Sequence, residues 1–142
     1  MGILHFYHSM TILCCIYAFQ AGGAPGRYGA SIVAFKTIAG YYAGLVDQSW
    51  ASVSVPVLLV DIFSFIALTC LAVKCDRYWP LWSAGCVLAA VGIHMAAAME
   101  IGFKPAVYHG LKGLMAIPMQ LLMVHGIYLD NRSRRKEYRL LG

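Results

Sequence analysis

Charge is what this sequence has least of. Lys, Arg, Asp and Glu make up 12% of its 142 residues, where a soluble domain carries about 25%. Only six residues are acidic, too few for a catalytic site built on paired carboxylates. No phosphate-cradling G-x-x-x-x-G-K-[ST] loop, G-x-S-x-G nucleophile elbow or H-E-x-x-H zinc motif occurs. The five cysteines, Cys14, Cys15, Cys70, Cys75 and Cys86, form no C-x-x-C pair. That removes covalent haem attachment; a disulfide framework is not expected, because most of these positions would sit in lipid or face the reducing side, and they read as small apolar side chains. No Lys or Arg precedes Arg27, so the apolar N-terminus lacks the basic start of a cleaved signal peptide and is expected to be a retained span.

Apolar length is what the sequence has in excess. Hydrophobic residues make up 61% of the chain, in five runs at about 3–21, 28–46, 55–73, 81–99 and 106–129. Each run suits a bilayer core about 30 Å thick. The connections are too short to hold a soluble catalytic lid. The expected fold class is therefore an all-α, polytopic transmembrane bundle of five spans in a single domain, 1–142. The alternative is four spans plus one interfacial helix over 28–46, because Lys36 is costly in mid-span unless paired.

Charge placement sets the orientation. Residues 130–142 read as a basic cytoplasmic tail carrying Arg132, Arg134, Arg135, Lys136 and Arg139. With five spans, Arg27, Lys74 and Arg77 fall on the same inner side and only Lys104 falls outside, as the positive-inside rule requires. Trp50, Tyr78, Trp79 and Trp82 fall at the expected interfaces. The tail adjoins no DNA-binding motif, so the expected partners are the lipid bilayer, other membrane subunits or further copies of the chain, and not nucleic acid.

Three groups of residues are candidates for a specific role. Lys36 and Asp61 lie on neighbouring antiparallel spans at depths about 6 Å apart, which predicts an intramembrane ion pair. His5, His8, His94 and His109 map to the outer half. His94 and His109 are the best-matched pair for a haem b iron, and imidazole beside methionine would also suit copper. Gly40 and Gly44 form a G-x-x-x-G, expected at a close helix–helix contact. Pro118 is expected to kink the last span, with Gln120 beside it to satisfy a freed backbone group.

Two further motifs carry a resemblance. Gly22-Gly23-Ala24-Pro25-Gly26-Arg27 and Arg77-Tyr78-Trp79-Pro80-Leu81-Trp82 resemble a G-G-x-P-x-R turn and an R-[FY]-W-P-L-W helix start found in small polytopic bacterial inner-membrane proteins. The resemblance implies an architecture and the bacterial inner membrane, and no activity. The chain accordingly reads as a non-catalytic accessory or structural subunit of a larger membrane complex, with respiratory and photosynthetic assemblies as natural hosts. A haem- or metal-binding electron carrier and a small proton-coupled transporter are the alternatives.

Overall fold

The computed structural model describes residues 2–46, 54–99 and 105–141. All regular structure among them is helical, in five helices: α1 (Gly2–Ala21), α2 (Gly23–Val46), α3 (Val55–Lys74), α4 (Trp79–Ala98) and α5 (Pro105–Leu141). Proline starts the last three. Pro56 and Pro80 sit in the first turns of α3 and α4, and Pro105 opens α5, positions where the missing N–H costs nothing. Lys74 and Arg139 lie in the last turns of α3 and α5, facing the negative ends of the helix dipoles.

The helices close into a ring. Each packs on the next in sequence, and α5 returns to α1. Short connections make consecutive helices antiparallel neighbours. One end of the ring, here the near end, holds the α1–α2 turn and the α3–α4 loop.

Among the described residues, two helices, α3 and α4, are long and apolar enough to cross a membrane. All five nonetheless leave large apolar side chains exposed, among them Phe6, Leu13, Phe63, Trp82, Leu88 and Leu121.

Several boundaries differ from the sequence expectation. The break expected over 22–26 shrinks to Gly22. Gly23 takes the left-handed conformation, φ 59°, which only glycine adopts freely, and the chain reverses there. Pro25 and Arg27 therefore belong to the first turns of α2, where proline is tolerated. Arg27 lies 5.5 Å from the centroid of the Phe19 ring. The expected tail over 130–142 is not separate from the last run. α5 continues without interruption through Arg132–Lys136 to Leu141, about 55 Å of helix. Pro118 lies inside that continuous helix. Gln120 does not serve a backbone group freed by the proline, because its amide donates to Thr11 Oγ1 on α1 at 2.8 Å. The breaks around Asp47–Trp50 and Glu100–Lys104 fall outside the described residues.

The near end is packed by one aromatic ring. Trp79 is 4% exposed, turned into the bundle, whereas Tyr78 and Trp82 are exposed. Its side chain lies against Gly29 of α2 and Gly126 of α5: a Cβ at Gly29 would overlap the far edge of the indole, and one at Gly126 the Trp79 Cβ and Cγ. Glycine at both positions is what lets three helices converge on one tryptophan. Arg77 pairs with Asp130 at 3.0 Å, and Asn131 donates to the Ala21 carbonyl at 2.9 Å. The two motifs that carry the resemblance thus meet at one end of the fold. Nearby, burial raises the Cys75 thiol above its ordinary range, with Arg77 opposing the shift. All five cysteines are free thiols.

Candidate functional site

The buried faces of α3 and α4 follow helical periodicity. On α3 they are Val57, Asp61, Ser64, Leu68 and Leu71. On α4 they are Trp79, Pro80, Ser83, Ala84, Val87, Ala90 and His94. Asp61 and His94 therefore occupy positions where a leucine would complete the stripe. A carboxylate there needs partners, because a lone buried charge is strongly disfavoured.

Both partners are present. Lys36 Nζ of α2 donates to Asp61 Oδ1, and His94 Nε2 of α4 lies 3.2 Å from Asp61 Oδ2. A carboxylate only accepts, so the imidazole carries its proton on Nε2 in this contact. Three helices are tied through one side chain. Asp61 and His94 are sealed, at 1% and 0% exposure, while the Lys36 side chain keeps 14%. All three lie at a similar height, about 20 Å from the near end.

Below this triad lie further buried polar groups. Ser64 donates to the Val60 carbonyl at 2.7 Å, back along its own helix. Ser83 of α4 donates to the Met119 carbonyl of α5 at 3.2 Å. Thr11 donates to the Tyr7 carbonyl at 2.9 Å while accepting from Gln120. Gln120 is fully buried, and its Oε1 has no hydrogen-bond donor among the described residues.

The structure brings Lys36 and Asp61 together and adds His94, which the sequence reading assigned elsewhere. His94 had been matched with His109, and its Nε2 is instead engaged by Asp61. The His109 side chain lies outside the described residues. His5 is exposed. His8 packs edge-on against Tyr7 and Tyr41, with centroids at 5.6 and 6.2 Å. Among the described residues no group of three or more His, Cys, Asp or Glu is placed to hold a metal ion. Gly40 and Gly44 were expected at a helix contact, yet a Cβ at either position would meet nothing within 4 Å. Within this chain they pack on no described neighbour.

The triad can lock three helices in register or hold a proton among three titratable groups. The open glycines can admit another helix. No protein-family model, curated protein or solved structure matches the chain, so its own residues carry the functional argument.

Proposed function

We propose that this chain is a five-span integral protein of the bacterial inner membrane, with its basic C-terminal helix in the cytoplasm, and that it serves as a non-catalytic accessory subunit of a larger membrane assembly. The carrying observation is the open G-x-x-x-G of α2. Small residues in membrane helices allow close backbone approach, and among the described residues nothing in the chain packs against this pair. Two features support the reading. Large apolar side chains are exposed on every helix, a surface that needs lipid or protein cover. Lys36, Asp61 and His94 pair with one another in the interior, and so do Thr11 and Gln120, as a scaffold locked from within requires. Replacing Gly40 and Gly44 together by Leu tests the reading. The chain is expected to stay folded and membrane-bound but to leave its assembly. Retention of the variant in the same assembly would count against it.

A second reading is favoured by the triad itself. Ionisable side chains inside a membrane bundle mark proton and ion pathways by default, and Lys36 is the arm of the triad that reaches outward. A proton-coupled transporter would lose uptake in Asp61→Asn with folding intact. In the electron-carrier reading His94 would ligate iron or copper, and Asp61 already engages its Nε2. A Soret band abolished by His94→Ala would revive it.

A further inference from the structure

α5 carries an apolar face and a cationic face on one line. At 100° per residue, Arg132, Arg135, Lys136 and Arg139 fall within an arc of about 100°. All four are exposed. Both acidic residues of this stretch, Asp130 and Glu137, lie off the arc, and so does Arg134. Traced back along the helix, the same arc holds Leu121, His125 and Tyr128, all exposed. Met119, Met123 and Ile127, on the opposite side, are buried in the ring. The cations therefore continue the outward face of α5, the face that meets lipid if the helix spans. The Arg77–Asp130 and Asn131–Ala21 contacts fix the point where apolar turns to cationic at the near end of the bundle.

A groove runs along that face. Its volume is about 730 Å³, and its lining includes Tyr17 of α1 with Pro118, Leu121, Val124, His125 and Tyr128 of α5. It is nearly all apolar and open along its length, which suits a flexible chain better than a compact ligand. From Pro118 to Tyr128 it rises about 15 Å. Its lower end, at His125 and Tyr128, leads onto Arg132 one turn further on. An apolar channel that ends at a cationic stripe fits an anionic amphiphile, which in a bilayer is foremost an acyl chain bearing a phosphate headgroup.

We propose that α5 and α1 form a binding site for an anionic phospholipid of the inner leaflet, with an acyl chain in the Tyr17–Pro118–Tyr128 groove and the headgroup phosphate on Arg132, Arg135, Lys136 and Arg139. The proposal rests on the membrane-spanning orientation given above, with the C-terminal helix in the cytoplasm. Charge complementarity selects the occupant. Cations just beyond a membrane helix attract anionic lipid, and guanidinium pairs with phosphate in bidentate fashion.

The test uses the full chain purified in mild detergent and titrated with dioleoyl phosphatidylglycerol or dioleoyl phosphatidylcholine, with lipid adducts read by native mass spectrometry. Phosphatidylglycerol is expected to bind at least about tenfold tighter, since each juxtamembrane cation contributes severalfold. The combined R132S/R135S/K136S/R139S variant is expected to lose that preference. Arg132→Ser and Lys136→Ser alone should each lower it severalfold, which keeps the test valid if the combined variant misfolds. Arg134→Ser, off the arc, should keep the preference. Leu121→Trp, which fills the groove, should weaken both lipids. Equal binding of the two lipids, an undiminished preference in the single-cation variants, or a lipid-free dimer covering the face would overturn the site. An alkaline carbonate wash of membranes separates the two levels. Release of the wild-type chain defeats the spanning orientation itself. Retention without lipid preference defeats only the lipid site.

Discussion

The near end and the middle of this bundle are held by opposite means. At the near end, three helices converge on Trp79 because Gly29 and Gly126 offer no side chain. In the middle, three helices converge on Asp61 because Lys36 and His94 offer donors. The first junction depends on shape and tolerates no added atom. The second depends on charge and tolerates no missing partner. Both sites join α2 and α4 to a third helix, α5 in one case and α3 in the other. The ring is thus fastened by packing at its end and by electrostatics about 20 Å away.

The largest expected effect breaks the charged junction from one side. Asp61→Ala leaves Lys36 without its anion, and truncating one member of a buried pair costs about 3–5 kcal/mol. Equilibrium unfolding in detergent would measure it. The double variant Lys36→Met/Asp61→Leu removes both charges and is expected to recover most of that loss. If the double variant unfolds as readily as Asp61→Ala, the triad is not held together by charge pairing.

Next comes the packed junction. Gly126→Ala places a methyl group inside the Trp79 side chain, and overpacking costs about 1–3 kcal/mol. Gly29→Ala meets instead the far edge of the indole, which phenylalanine lacks, so in that variant Trp79→Phe should relieve part of the cost, read as a partial recovery of thermal midpoint. A smaller effect is expected at Gln120. Its Oε1 is buried without a donor, so Gln120→Met exchanges one hydrogen bond for a better-matched apolar end. The change should stay within about 1 kcal/mol, and Thr11 keeps its bond to the Tyr7 carbonyl. The smallest effect is Arg77→Ala. Its pair with Asp130 is partly exposed, and such pairs contribute about 0–1 kcal/mol. A loss well beyond that would shift weight from the indole to the salt bridge at the near end.

Much of the near end and part of the middle were legible in the sequence. Gly22-Gly23 and the prolines at 56, 80 and 105 punctuate the helices through backbone chemistry that needs no partner. The Lys36–Asp61 pair was reached by counting depth along neighbouring helices. His94 is not legible beside them from the run 28–46, because α2 begins five residues before Tyr28, at Gly23. Counted from Gly23 and Trp79, Lys36 and His94 fall level with Asp61. The burial periodicity of α4, Val87–Ala90–His94, carried the same signal. The seat of Trp79 was not legible. An aromatic residue after a basic loop fits an interface equally well, and only the convergence of Gly29 and Gly126 from distant helices decides it. The helical continuation through Arg132–Lys136 was hidden because its charge pattern also reads as a solvated tail.

The accessory role is tested most directly by purifying the chain from its native membranes in mild detergent and measuring the mass and visible spectrum of the particle that contains it. The account predicts a large assembly in which this chain is one subunit and any pigment belongs to the others. A small particle made of this chain alone would contradict it: colourless, it would move the argument to proton-coupled transport at Asp61, and with its own Soret band, to an electron carrier.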